Sequence, residues 1–402
     1  MPNIWIKRDI SGIIESNPDP IQVIRGPRQC GKSSLALHLG QNFTEISLDD
    51  PGLRALAQSD PQTFLAQFEG RKIFIDEAQY APELFPVLKR RADLYKRTAP
   101  ATRETIIRIT GSNQILLDRN VKESLAGRAS FFDMNTLSVN EILKSSHQPI
   151  QQILYSGGWP ELYASVPKRD PKKYLDDYIN SYIERDIVIS AGIQKQAAFL
   201  KLVKLLAGRI GQILDLSQFG QEVGVDAKTV KDWISVLEQM RTIALVPPYS
   251  TNLSKRLIKS PKIYFMDTGL ACRLQGWTSA EPILTSPQQG HLFENLVFTE
   301  IQKLIQNFQL GWEIFHWRSR DKEEIDFLIN MGPDGMIFIE SKVSAQRLND
   351  LDTYPEVRKV FKSNPPRRFL CHMTGEFILG PNVPIAKLGA FLLGLKSSPV
   401  AP

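Results

Sequence analysis

One stretch near the start of the chain limits its fold more than any other. Gly26-Pro27-Arg28-Gln29-Cys30-Gly31-Lys32-Ser33 reads G-x-x-x-x-G-K-[ST] without a gap, and Ser34 follows directly. The run Ile21–Arg25 before it has the character of a buried strand, and residues 32–39 (KSSLALHL) read as a helix. Strand, loop and helix at this spacing make a phosphate cradle. Glycines let the backbone curl until successive N–H groups face one anion. Lys32 would bring a point charge to the β- and γ-phosphates and the Ser33 hydroxyl would ligate Mg2+, with the positive end of the helix facing the anion. Residues 26–34 are therefore expected to bind ATP.

Two adjacent carboxylates support this. Lys72-Ile73-Phe74-Ile75-Asp76-Glu77 is a β-branched and aromatic run ending in acid. Buried parallel strands read as continuous apolar residues, and their C-terminal ends open onto the ligand site. Asp76 is expected to hold the Mg2+ shell and Glu77 to orient and polarise the attacking water. A third strand, Thr105–Ile109, leads into Thr110-Gly111-Ser112-Asn113, where Asn113 or Ser112 would sense the γ-phosphate. In Ser124-Leu125-Ala126-Gly127-Arg128, the arginine is expected to act as a finger on a neighbouring copy's γ-phosphate; a surface ion pair is its other reading.

Composition removes several classes. At 402 residues the chain exceeds what one core usually supports, so several domains are expected. With 42% hydrophobic and 23% charged residues it is neither disordered nor collagen-like. The net charge of +6 leans toward a polyanionic partner without deciding one. Cys30, Cys272 and Cys371 are too few and too far apart for a disulfide framework or a four-ligand zinc site, and a reducing cytoplasm is expected. No secretory signal and no apolar run of membrane-spanning length occurs, so no membrane association is expected. The basic stretch Lys89-Arg90-Arg91, with Lys96 and Arg97, reads as a solvated helix face.

GPRQCGKSS, Asp49-Asp50-Pro51, IFIDEAQ, ITGSNQILL and SLAGR, in this order, resemble an AAA+ ATPase. More narrowly they resemble bacterial and archaeal ATP-binding proteins with a C-terminal domain of unknown function. The resemblance runs on through Gly157-Gly158-Trp159-Pro160 and Tyr182-Ile183-Glu184-Arg185-Asp186. It implies oligomers with nucleotide between subunits, and makes Arg185 a second sensor arginine.

Residues 171–190 carry apolar and aromatic residues at helical spacing, as a lid helix would, and 197–209 read as another helix. Helix-turn-helix chemistry follows: Ser217 to cap a short helix over 218–222, Gly224 in the turn, and Asp226 to cap a second helix with Val230, Trp233, Ile234 and Leu237 on its apolar face. Lys228, Thr229, Lys231 and Asp232 would face a DNA groove. Ile243–Val246 and residues 252–264 would form a wing whose Lys255, Arg256, Lys259 and Lys262, near Tyr249 and Tyr264, suit phosphate contacts. A packing or protein-contact role is the other reading.

Beyond residue 285, the helix 291–306 presents Glu294, and the strands Glu324–Ile329 and Met336–Lys342 bring Asp326, Glu340 and Lys342 to one face. The pattern D-x13-E-x-K resembles the PD-(D/E)xK restriction-endonuclease-like fold, although Ile325 stands where the motif has proline. That resemblance implies Mg2+ on Asp326 and Glu340, completed by Glu294, with Lys342 beside the water. Satisfied ion pairs on an inactive domain are the alternative.

The expected fold class is thus α/β: a P-loop AAA+ core (1–155), a helical lid (156–205), a winged helix (206–284) and a restriction-endonuclease-like α/β domain (285–402). The expected function is an oligomeric, Mg2+-dependent ATPase that engages DNA and cuts it. The alternative is an ATP-driven switch whose later domains bind DNA or protein without cutting. A scaffold of signalling-ATPase type is a third reading.

Overall fold

The structure, a computed structural model, describes residues 4–40, 42–98, 104–112, 125–250, 260–318, 323–345, 361, 366–375 and 377–397. It divides into two compact units: one of Lys7–Thr136 with Gln306–Phe308, and one of Met1–Ile6, Leu137–Ile305 and Gln309–Pro402.

The first unit is built on five strands, β1 (Ile21–Arg25), β2 (Phe43–Ser47), β3 (Lys72–Asp76), β4 (Ile107–Gly111) and β5 (Ala129–Asp133). They lie in the order β2-β3-β4-β1-β5, every pair parallel. The side-chain period of two explains why these sequences suit a sheet covered on both faces. Val23, Ile73, Ile75, Ile107 and Ile109 enter one core with Phe85 and Leu88 of the helix Leu84–Thr98. Ile24, Phe74 and Phe132 enter the other, with Leu35 and Ala36 of the helix Lys32–His38. β4 separates β1 from β3, so the groups just past β4 lie between whatever β1 and β3 deliver. The third strand starts two residues later than its composition suggests and runs through Gly111.

In the second unit, Ser138 and Glu141 form a reciprocal capping box at the start of the helix Val139–Ser145. The helix Ile150–Ser156 ends on Gly157 with φ 72°, and a Cβ there would lie 2.0 Å from the Asp267 carboxylate. Only glycine fits, and the adjacent Gly158 amide donates to Asp267 Oδ2 at 2.8 Å. The expected 171–190 helix is α-helical over Pro171–Tyr178, π-helical over Ile179–Ile187 and α-helical again over Val188–Ser190. The buried Trp159 ring packs on Tyr178 there, centroids 4.3 Å apart.

The helices Gln196–Gly208, Leu216–Val223 and Ala227–Gln239 follow, with Gly224 turning the chain at φ 77° between the last two. Asp215, not Ser217, caps the first of that pair: its carboxylate accepts from the Ser217 and Gln218 amides, both at 3.0 Å. Asp226 caps the second as expected. An antiparallel hairpin of β6 (Ile243–Val246) and β7 (Lys262–Phe265) comes next. Past the helix Gln289–Asn307 lie β8 (Glu313–Arg318), β9 (Glu324–Asn330), β10 (Met336–Lys342), β11 (Arg367–His372) and β12 (Asn382–Pro384). These form a mixed sheet in the order β12-β11-β10-β9-β8, antiparallel among β8, β9 and β10 and parallel beyond. Among the described residues, no helix is long and apolar enough to cross a membrane.

Candidate active site

The loop between β1 and the helix Lys32–His38 is shaped by its glycines. A Cβ on Gly26 would stand 2.1 Å from the Met134 carbonyl oxygen, so the loop packs against the end of β5 only without a side chain. Gln29 (φ 59°) and Gly31 (φ 93°) curl the backbone through the left-handed region, and no side chain caps the helix at Gly31. Cys30 is buried; its carbonyl accepts from Arg8 Nη1 at 2.9 Å, and Arg8 Nη2 donates to the Asn135 carbonyl at 2.7 Å. Arg8 therefore ties the loop to the chain leaving β5. Lys32 is 5% exposed, and its ammonium donates to the carbonyls of Gly26 at 3.0 Å and Pro27 at 2.8 Å. Ser33 is half-buried, Ser34 is exposed with its carbonyl 2.8 Å from His38 Nδ1, and Arg28 is half-buried.

Asp76 ends β3, in register with Ser47 on β2. Its Oδ1 accepts from the Thr110 hydroxyl on β4 and, at 3.2 Å, from the Glu77 amide. Glu77 has its backbone in the left-handed region, φ 54°. Its Oε2 accepts from the Ser112 hydroxyl at 2.8 Å, the Ser112 amide at 3.3 Å and the Gln79 side-chain amide. Ser112 thus faces Glu77, and Asn113 lies outside the described residues. Asp49 joins the same electrostatic group: burial first, then the charges of Glu77 and Asp76, push its carboxyl above the usual range, against Arg54 and Arg28.

A second carboxylate group lies where β7, β9, β10 and the helix Gln289–Asn307 meet. Glu294 Oε1 accepts from the Tyr264 hydroxyl at 2.6 Å and from Lys262 Nζ at 3.3 Å. Lys262 also reaches Glu324 at 2.6 Å. Burial alone would lower the Lys262 ammonium, but Glu294, Asp326 and Glu324 raise it. Asp326 Oδ2 accepts from the Ser341 amide at 2.7 Å and hydroxyl at 2.6 Å. Glu340, one step past the registered pair Ile339–Phe327, accepts from Arg368 at 2.9 Å. Burial and the charge of Asp326 push both Glu294 and Glu340 up to about 7. Lys342 is exposed. Among the described residues no three His, Cys, Asp or Glu side chains are placed to hold a metal ion. With Lys262 and Arg368 already serving two of the three carboxylates, this donor set as placed does not fit Mg2+.

Residues 18–143 match the family model of an AAA domain. The parallel sheet, the loop after β1 and the acids after β3 are those of a P-loop ATPase core of AAA type. Two further models match: a domain of unknown function, DUF8612, over residues 147–281, and another, DUF4143, over residues 289–385. The chain is similar to an uncharacterized protein of Mycobacterium tuberculosis, 29% identical over 314 residues, which cover 78% of this chain and 68% of that one. An uncharacterized protein of Methanocaldococcus jannaschii is 22% identical over 366 residues, covering 81% of this chain and 75% of the other. Among solved structures, the Walker-type ATPase of Pyrococcus abyssi aligns with a TM-score of 0.42 and 15% identity, over 68% of this chain and 96% of that one.

Within the AAA domain, Arg128 does not meet the loop. It precedes Ala129, which pairs with Ile21 at the strand-start edge of the sheet, whereas the loop leaves the opposite edge. There Arg128 Nε lies 2.9 Å from Asp93 and holds that carboxyl below its usual range. Arg185 is exposed on the π-helical stretch of the second unit.

The expected wing changes most. Lys262 is buried in the carboxylate group rather than presented to solvent. Tyr264 is buried on Glu294, and Tyr249 stacks on Phe361 at 5.5 Å, so neither is set out for phosphate contact. The reason is register: β7 directs Lys262 and Tyr264 inward together. Lys255, Arg256 and Lys259 lie outside the described residues. Lys228, Lys231 and Asp232 are exposed on the helix Ala227–Gln239, while the Thr229 hydroxyl bonds back to Asp226 at 2.8 Å. Sequence reasoning missed Arg8, which no motif flags, and Gln79, whose signal is an amide two residues past an acidic pair.

Proposed function

We propose that this chain is an oligomeric, magnesium-dependent ATPase whose hydrolytic cycle switches a DNA-engaging second unit that holds DNA without cutting it. The observation that carries the ATPase reading is the Lys32 ammonium, buried against the Gly26 and Pro27 carbonyls in the loop leaving β1, with Asp76 and Glu77 leaving β3 across β4. Magnesium, when bound, would screen the phosphate charge and orient the γ-phosphate. The chain's own residues divide the remaining work. The backbone N–H groups of residues 28–34 bind phosphate oxygens (Pro27 has none to give), and Lys32 exchanges two neutral carbonyls for charged acceptors, a stronger hydrogen bond. Ser33 and Asp76 supply oxygen ligands toward the metal, and Glu77 takes a proton from the attacking water. Asn113 remains the proposed sensor of the γ-phosphate. Arg128 acts on the nucleotide of another copy, since within one chain it stands at the far edge of the sheet.

The non-cutting reading is supported by the second carboxylate group. Asp326, Glu340 and Glu294 are each hydrogen-bonded inside the fold, and Lys342, though its charge reaches Glu340, is exposed. DNA engagement is supported by exposed Lys228 and Lys231 at the start of a capped helix and by the positive net charge.

Calorimetry with ATP and Mg2+ tests the first half. Wild-type protein should bind ATP, Lys32→Ala should lose binding, and Glu77→Gln should bind ATP and hold it unhydrolysed. A wild-type protein that takes up no adenine nucleotide ends the proposal. For the second half, supercoiled plasmid with Mg2+ and ATP should stay intact; cutting abolished by Lys342→Ala would establish the nuclease instead.

A further inference from the structure

Gln79 stands two residues beyond Glu77 in the short helical turn Ala78–Tyr80 and is only 4% exposed. Its side-chain Nε2 donates to Glu77 Oε2, the same oxygen that receives the Ser112 hydroxyl and amide. Three donors converge on one carboxylate oxygen, while Glu77 Oε1 has no donor among the described residues. An ionised carboxylate only accepts, so the amide must turn its nitrogen toward Glu77. That leaves Gln79 Oε1 buried without a donor among the described residues. An orphaned buried amide oxygen is destabilising, and a leucine of similar volume would leave none. The fold thus tolerates a defect to keep a donor at this position.

Resting on the ATPase reading, we propose that Gln79, together with Ser112, is a positioning residue that clamps Glu77 by Oε2 and so makes Oε1 the oxygen that meets the attacking water. Glu77 itself sits in a left-handed backbone conformation, which a non-glycine residue holds only where its surroundings fix it. A carboxylate so placed needs its roll fixed by neighbours, and Ser112, just past β4, and Gln79, just past β3, approach it from two different strand ends.

The test compares wild type, Gln79→Leu, Ser112→Ala, Glu77→Gln and the double variant Gln79→Leu/Glu77→Gln, all in the full chain. Gln79→Leu should lower kcat about ten- to a hundred-fold while KM for ATP stays within about two-fold, the mark of lost positioning rather than lost binding. Its melting temperature should equal or exceed that of wild type, because the orphan is gone. The double variant should be no slower than Glu77→Gln alone, since Gln79 acts only through Glu77. In a crystal structure of nucleotide-free Gln79→Leu protein, the Glu77 carboxylate should leave its single placement. Wild-type kcat in Gln79→Leu, a loss confined to KM, or a further fall in the double variant would overturn the proposal. If Gln79→Leu does not fold, Ser112→Ala carries the same expectations for kcat and KM, without the gain in melting temperature, because the Gln79 orphan stays. If Glu77→Gln turns over like wild type, the ATPase role of Glu77 fails instead, and the nucleotide-free structure still decides whether the clamp exists.

Discussion

Glu294 and Glu340 flank Asp326 in the second unit, and burial with that neighbouring charge pushes each up to about 7 from an ordinary 4.5. The folded state therefore favours their protonated forms. Their contribution to stability is complete below pH 4.5 and is lost as pH rises through 7, by at most about 1.4 kcal/mol per pH unit for each group. Melting temperatures across this range should fall with rising pH, and Glu294→Gln should flatten the fall; an equal slope in both proteins would refute it. This group also marks the limit of residue-level reading. The residues between 26 and 33, with Asp76 and Glu77, are legible because chemistry fixes both their types and their spacing. Asp326, Glu340 and Lys342 are common residues, and nothing in their spacing reports that Arg368 and Lys262 have reached the carboxylates first. Lys262 reads as a wing cation because a charge in a basic stretch is normally solvated; pairing of β6 with β7 turns it inward.

Among elements, long periodic segments and continuous apolar strands were readable: β1, β3 and β10 lie where their composition puts them, as does the helix Ala227–Gln239. β2 and β5 escaped because Phe43–Ser47 and Ala129–Asp133 mix polar and apolar residues as edge strands do. The helix Ala227–Gln239 carries two predictions of its own. Asp226 accepts from the Thr229 amide at 2.8 Å, so Asp226→Ala should lower the midpoint of denaturant melts, and an unchanged midpoint would show that the cap contributes nothing. If Lys228 and Lys231 contact phosphate, DNA affinity should fall with salt, and each alanine substitution should reduce the slope of log affinity against log salt by about one. Binding that ignores salt would assign this exposed face to a protein partner.

The whole molecule poses a problem of polarity. In a parallel sheet every strand delivers its C-terminal end to one edge, so the loop after β1 and the acids after β3 gather there, and Arg128, entering β5, cannot join them in its own chain. Its pairing with Asp93 holds the guanidinium at the opposite edge. A head-to-tail assembly brings opposite edges of neighbouring copies together, and the proposed trans role then follows from the sheet's polarity. Mixing two inactive variants tests it. Lys32→Ala keeps Arg128 but not nucleotide; Arg128→Ala keeps the loop but lacks the arginine. In equal mixture, half of all sites keep an intact loop, and half of those adjoin an intact arginine. About a quarter of the wild-type rate per chain should return if the arginine acts between copies. Arg128→Ala alone at the wild-type rate, with the mixture at half that rate, would leave the arginine as the partner of Asp93 and place the compensating charge elsewhere in the AAA domain.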